Sequence, residues 1–230
     1  MPGRKLAALL LVLGSLSARA GHAQEVGEVA RVREALGIEG QRTRLLEVKE
    51  PVRVGLTVAL SQSRSFIRLA LDDRITATSQ GAKLTVWGAF DFKGVGKFTI
   101  EKAEVRPEPE LTTGRILLGL GVLQGKLWMA LSQAVAHEVS VRTPQLTAHP
   151  RGTTFRMLVD PVAGTFLATD EGEVRADLPT GEVFRVTAGH WLLVPPKGTI
   201  QRGANDHLPD SLEDPPLVDC CDFRTGSQTP

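Results

Sequence analysis

From Val52 onward, apolar and polar residues alternate with a period of two, and the alternation persists through most of the chain. In AKLTVWGAFDF, Leu84, Val86, Phe90 and Phe92 share one parity, while Lys83, Thr85, Asp91 and Lys93 take the other. Successive strand side chains point to opposite faces, so this spacing predicts a half-buried strand. FIRLALDD (Ile67, Leu69, Leu71), EVSVRT (Val139, Val141) and TFRMLVD (Phe155, Met157, Val159) repeat the pattern. Between the runs lie short punctuators such as SQG, PEPE, DPVAG, DEG and PTG. Many short strands with regular turn signals between them predict an all-β domain.

Two stretches depart from the pattern. In QEVGEVARVREALGIEGQRTRLL (24–46), Val29, Val32 and Leu36 have helical spacing while flanking glycines limit length, so the segment reads either as a short helix or as a first strand. ILLGLGVLQGKLWMALSQAVAHEV (116–139) is apolar enough for a buried helix. Each of its three glycines, Gly119, Gly121 and Gly125, would cost that helix about 1 kcal/mol relative to alanine. It reads instead as strand, turn at Gln124-Gly125, strand. Further on, DEGEVRADL and PTGEVFRVTAG repeat a Gly-Glu-Val unit, with Gly172 and Gly181 nine residues apart. That spacing fits successive short strands whose corners use glycine's freedom at positive φ.

Composition changes the picture mainly at the two ends. Arg4 and Lys5, the apolar run Leu6 to Leu13, and the small residues around Ala20 and Ala23 form the three-part pattern of a secretory signal peptide. Its apolar run falls well short of the roughly 20 residues a membrane-spanning helix needs, and no later segment reaches that length. Without the leader's Arg4, Lys5 and Arg19, the 27 basic residues fall to 24 against 26 acidic ones. A net charge of about −2 argues against a nucleic-acid surface, which needs a clustered positive excess. Basic residues such as Arg68, Lys93, Lys97 and Lys102 fall at polar phases of the alternation and read as solvated strand faces. The only cysteines, Cys220 and Cys221, are adjacent in a Pro- and Asp-rich tail and cannot brace a core.

Familiar catalytic patterns are missing. GLGVLQGK (119–126) has neither the spacing of a phosphate-binding loop nor a Ser or Thr after Lys126, and KGVGK (93–97) fails in the same way. Both read as turns. His22, His137, His149, His190 and His207 form no i, i+4 pair, and no Cys-x-x-Cys occurs. His137-Glu138 and Asp170-Glu171 read as surface turns, and Asp72-Asp73 sits at a strand end rather than as an acid/base pair. No residue is therefore assigned a catalytic, cofactor-binding or metal-ligating role, no cofactor is expected, and the chain reads as a non-enzyme.

A resemblance emerges from the order of these features. VGLTVALSQSRSFIRLALDDRITATSQGAKLTV (54–86) is similar to a strand, aspartate turn and second strand, and LQGKLWMAL (123–131) to a glycine turn and strand. VRTPQLTAHPRGTTFRM (141–157) contains Thr-Pro, a spacer and Arg-Gly-Thr-x-Phe; TFLATDEGEVRAD and VFRVTAGHWLLV then supply a Glu-Gly-x-Val turn and an Ala-Gly turn. In that order, from about Val29 to Val194, the motifs resemble the FecR domain, an extracytoplasmic module of iron-responsive signalling regulators and of many exported bacterial proteins. The family's Asp-Gly turn is Asp72-Asp73 here, tolerable because aspartate can visit the left-handed region.

The resemblance favours a β-helix-like coil of short strands in one domain, with a two-sheet β-sandwich as the alternative. The expected division is a signal peptide at 1–23, a lead-in segment at 24–50, a FecR-like β domain at 51–196, and a Pro/Asp/Gly-rich tail at 197–230 that loses order. RGTTFRM then reads as a folding element in which Phe155 plugs the core. The family's signalling members carry a cytoplasmic segment and a membrane helix ahead of the domain; neither is expected here, so sigma-factor regulation is not carried over. The expected function is a noncatalytic, exported, periplasmic or extracellular binding module that engages another envelope or secreted protein, without nucleic acid, through exposed strand edges. The alternative is a glycan-binding or glycan-acting hydrolase, to be tested by substituting Asp72, Asp73, Glu171 and His190.

Overall fold

The computed structural model describes residues 25–72, 86–106, 115–131 and 137–205. The strands are β1 (Glu25–Arg33), β2 (Ala35–Glu39), β3 (Arg42–Leu45), β4 (Pro51–Arg53), β5 (Thr57–Leu60), β6 (Phe66–Asp72) and β7 (Val86–Arg106). They continue as β8 (Arg115–Leu131), β9 (His137–Arg142), β10 (Thr147–Asp160), β11 (Gly164–Asp177), β12 (Val183–Thr187), β13 (His190–Val194) and β14 (Gln201–Ala204). The all-β expectation holds, and the ambiguous lead-in is strand.

One hydrogen-bonded network joins all of these strands. Rungs of a coil would pair parallel, but here every described pairing is antiparallel except that of β8 with β9. The winding is thus a bent meander, and four long strands, β7, β8, β10 and β11, each contribute to two limbs. In the first limb, β6, the start of β7, the end of β8, the end of β10, the start of β11, β13 and β14 lie side by side. In the second, β2, β5, the end of β7, the start of β8, β9, the start of β10, the end of β11 and β12 do so. A single apolar core draws on both limbs: Ile67, Leu127, Met157 and Leu167 from one, Val58, Leu120, Val141 and Val174 from the other.

The bends show how the alternating pattern survives a change of limb. In β10, Ala148 and Pro150 are buried before the bend, and Thr153, Phe155, Met157 and Val159 after it, so the buried parity switches at Arg151-Gly152. There the register with β11 slips, and one extra residue re-aims the strand as a β-bulge. Gly152 (φ +53°) faces Gly172 (φ +76°), where an added Cβ would stand 2.7 Å from Thr153 Cγ2. Phe155 is fully buried, as the core plug predicted for RGTTFRM.

The same device bends β7 against β8. Their register slips between Lys93 and Lys97, opposite Gln124 to Lys126. A Cβ on Gly125 (φ +118°) would lie 2.6 Å from the Phe92 ring, and one on Gly96 would lie 2.5 Å from the Gln124 carbonyl oxygen. Phe92 and Phe98, their ring centroids 4.7 Å apart, fill the inside of this corner.

Several sequence expectations change accordingly. KGVGK and GLGVLQGK are not turns but the facing bends of two continuous strands, and Gln124-Gly125 does not divide β8. Gly152 and Gly172 likewise bend strands from within. A positive-φ glycine looks the same in sequence whether it closes a turn or bulges a strand; pairing on both sides decides which. The sheet also crosses the expected limits at 50/51 and 196/197. β1 pairs with β4 and β6, β2 with β5, and β14 with β13, so the sheet runs from Glu25 to Ala204. The leader and residues 206–230 of the tail lie outside the described residues.

Thr143-Pro144 does end a strand, and the turn after β9 is pinned from within. Thr143 N donates to the Leu146 carbonyl at 2.8 Å, and Leu146 N donates to Thr143 Oγ1 at 3.1 Å. The buried Thr165 hydroxyl lies 2.9 Å from Thr143 Oγ1 and 2.7 Å from Gln145 Oε1, tying this turn to β11.

Candidate functional cleft

At its C-terminal end the sheet opens. β11 pairs with β13 over Thr165 to Thr169 and with β12 over Glu173 to Asp177. The bulge at Gly172 sends these two stretches of β11 into different limbs, and their outer neighbours part with it. β12 returns from β11 through a turn closed by Leu178 N to the Glu182 carbonyl (2.9 Å) and Gly181 N to the Leu178 carbonyl (3.0 Å). A second turn, with Gly189 at φ +78°, then carries the chain across to β13. Ala188 N donates to the Gly172 carbonyl and Gly189 N to the Thr169 carbonyl, each at 2.9 Å, so the crossing is anchored at the bulge itself.

The result is a cleft of about 590 Å³ between β12 on one side and β13 with β14 on the other. Among the described residues β12 pairs only with β11, and β14 only with β13, so each leaves one strand edge unpaired. Phe184, Val186, Trp191 and Leu192 supply apolar wall; Arg185, Arg202 and His190 supply its polar and cationic groups. Val183 at the rim is 58% exposed, a large apolar side chain on an open edge. Arg185 reaches Glu173 at 3.3 Å across the strand pair, an exposed contact that leaves the guanidinium accessible. His190 Nδ1 lies 3.2 Å from Thr187 Oγ1 and 3.1 Å from the Ala188 carbonyl, which orients the ring at the turn.

The floor beneath Trp191 is closely packed. Its ring stacks on Phe166 with centroids 5.3 Å apart and an interplanar angle of 26°. On the β14 side only Gly203 fits, since a Cβ there would stand 2.7 Å from the indole. Phe166 and Ala168, with Leu158, Trp191 and Leu193, form a second apolar cluster on the sheet face opposite the main core. The start of β11 is consequently buried on both faces, which simple alternation does not predict.

The residues raised by sequence fall in several places. His190 lines the cleft. Asp170 pairs with Arg156 through contacts of 2.5 and 3.0 Å, and Glu171 accepts from Thr154 Oγ1 at 3.4 Å, so both carboxylates belong to the Gly172 bend. Both lie in β11 rather than in a turn. His137 and Glu138 start β9 rather than forming a turn. His149 pairs with Asp177 at 3.3 Å; burial lowers its pKa from the ordinary value, with Asp177 pulling more weakly the other way. Asp72 ends β6, while Asp73, His22, His207, Cys220 and Cys221 lie outside the described residues. Among the described residues no three His, Cys, Asp or Glu side chains are grouped to hold a metal ion. Sequence reading missed Trp191, Arg202 and Gly203 as a unit. The available signal was the alternation of exposed Val183, Arg185 and Thr187 in VFRVT, typical of a strand with one open side.

Comparison with known proteins gives little by sequence: no family model matches the chain, and no curated protein matches it. Among solved structures, two crystal structures of candidate anti-sigma factors from Parabacteroides distasonis ATCC 8503 are similar in fold. One matches at 15% identity with a TM-score of 0.45, covering 64% of this chain and 59% of that one. The other matches at 13% identity with a TM-score of 0.35, covering 64% of this chain and 54% of that one. The match spans little more than half the length of either solved structure.

Proposed function

We propose that the protein is an exported, noncatalytic binding module of the cell envelope, FecR-like in its motifs, that engages another envelope or secreted protein through the cleft between β12 and β13-β14. The observation that carries this reading is the pair of strand edges, unpaired among the described residues, that flank an apolar, cationic cleft. An extended polypeptide satisfies both features at once. Its backbone completes an open ladder, while alternate side chains fill the apolar wall and face Arg185 and Arg202. The leader pattern of residues 1–23 supports export.

The test is cross-linking and mass spectrometry on the native envelope fraction, with wild-type protein and the Arg202→Glu variant. The expected result is a reproducible protein partner whose cross-links map to residues beside the cleft and weaken in the variant. The opposing result is turnover of envelope glycan that is lost in Glu171→Ala or His190→Ala while the fold is retained. That outcome would make the protein a hydrolase.

A further inference from the structure

Beyond β11 the two limbs are unequal. In the first limb β11 is followed by β13 and β14; in the second, among the described residues, by β12 alone. Across the cleft from β14 there is accordingly a place for a strand that the described residues do not fill.

The edge of β12 is set to receive one. At the two ends of its ladder with β11, Leu178 N donates to the Glu182 carbonyl and Ala188 N to the Gly172 carbonyl, each at 2.9 Å. Between them Ala176 stands opposite Phe184 and Val174 opposite Val186. Bonded and unbonded positions alternate along an antiparallel pair, so Phe184 and Val186 turn their backbone groups to β11, while Val183, Arg185 and Thr187 turn theirs to the open side. The 3.0 Å bond from Thr169 Oγ1 to the Val186 carbonyl has the same phase. The side chains of Phe184 and Val186 pack toward the core, and those of Val183, Arg185 and Thr187 are exposed. A strand added here would bond to Val183, Arg185 and Thr187 and place inward side chains opposite Phe184 and Val186.

β14 presents a cation to those inward positions. Arg202 lies opposite Leu192, which is buried in the core, and directly opposed residues of an antiparallel pair share a face. Arg202 is therefore on the core-facing side of an edge strand, at the cleft. No Asp or Glu lines the cleft, and the nearby carboxylates are engaged elsewhere: Asp170 with Arg156, Glu173 with Arg185, and Asp177 with Arg175. His190, opposite Ala204, reaches Thr187 at 3.2 Å, so Arg202 lies two residues farther from that end of β12. A second copy of the chain is a poor occupant, because antiparallel self-pairing of β12 about its central Arg185 would set two guanidinium groups against each other.

Resting on the reading that a partner binds at this cleft, we infer that the partner contributes one extended strand to the open edge of β12, with an acidic side chain opposite Phe184 that meets Arg202 and an apolar one opposite Val186. Packed sheets stand about 10 Å apart, a gap that an arginine from one side and a carboxylate from the other close together. The cleft thereby selects acidic extended segments over basic ones.

The experiment uses the full chain and a synthetic peptide of about ten residues with blocked ends, in which glutamate and valine alternate along one face and threonine fills the other. Fluorescence anisotropy of the labelled peptide reads affinity, and residue-resolved amide exchange reads where it binds. The glutamate peptide should bind at least tenfold more tightly than its lysine counterpart, and Arg202→Glu should reverse that preference. Methylating the peptide's backbone nitrogens should abolish binding. Bound peptide should slow exchange about tenfold at Val183, Arg185 and Thr187 and leave Phe184 and Val186, already bonded to β11, unchanged; Phe155 to Val159 of β10 check that Arg202→Glu keeps the fold. No binding of the glutamate peptide at about 1 mM overturns the inference, as do equal affinities for the two peptides or protection at Arg202 and Ala204 in place of β12. A partner cross-linked at the cleft while the peptide fails these tests leaves the proposed function standing and removes the strand addition. Peptide binding as described, with no envelope partner found, does the reverse.

Discussion

Two corners of this sheet use the same device and end differently. At the β7/β8 corner, Gly96 and Gly125 let two strands bend together, both strands continue past the bend, and Phe92 and Phe98 seal its inside. At the β10/β11 corner, Gly152 and Gly172 bend the strands again, but the next position outward is shared by two separate strands, β12 and β13. One corner is therefore a packed hinge of the core and the other a cleft. The difference teaches that facing glycines set where a sheet turns, while the continuity of the neighbouring strand sets whether the turn closes or opens.

That comparison orders the expected effects of substitution. Phe92→Ala empties the sealed corner and should cost about 4 kcal/mol, measured by urea unfolding. Gly125→Ala adds a Cβ 2.6 Å from that ring in a backbone conformation unfavourable to L-residues, and should cost about 3 kcal/mol. Combining it with Phe92→Leu should give a smaller loss than the sum of the two single changes, because both act on one contact. Gly172→Ala meets a methyl group at 2.7 Å and should cost about 2 kcal/mol. It should also alter cross-linking to the proposed partner, because β12 and β13 diverge from that bulge. Gly189→Ala has nothing within 4 Å, so only the positive φ penalises it, by about 1 kcal/mol. A flat series across the three glycines would contradict the claim that the bends differ in packing.

The smallest effect concerns pH. His149, beside Asp177, Arg175 and Glu138, has its pKa lowered from 6.5 chiefly by burial. The unfolded chain then binds the proton first as pH falls, so stability is fully present above about 6.5 and declines below it, through the lowered folded value. In His149→Asn the part of the stability-pH slope between about 6.5 and the lowered folded value should flatten; an unchanged slope would assign it elsewhere.

Much of the fold was legible because strand parity is local. Ile67, Leu69, Val139, Val141, Phe155, Met157 and Val159 are buried as their spacing requires. The bends were read as turns because φ at a single glycine is local too, while continuity of β7 or β8 through it depends on partners far along the chain. The cleft was less legible still. It exists because β11 changes partner at Gly172, a choice made by Val183 to Val194, and nothing in DEGEVRAD alone announces it. His190 was noticed as a titratable group, but its place at the cleft is set by the Gly189 turn.

The most direct test compares two side chains of matched exposure, one at each corner. Val183 is 58% exposed at the rim of the cleft, and Leu123 is 55% exposed on β8 two residues from Gly125. A photo-crosslinking residue placed at either position in the full chain should report whether extended polypeptide lies there. Cross-links from position 183 to another protein, with none from position 123, are the expected result. Equal cross-linking from both positions, or cross-links from 123 alone, would show that the open corner is not where this protein binds.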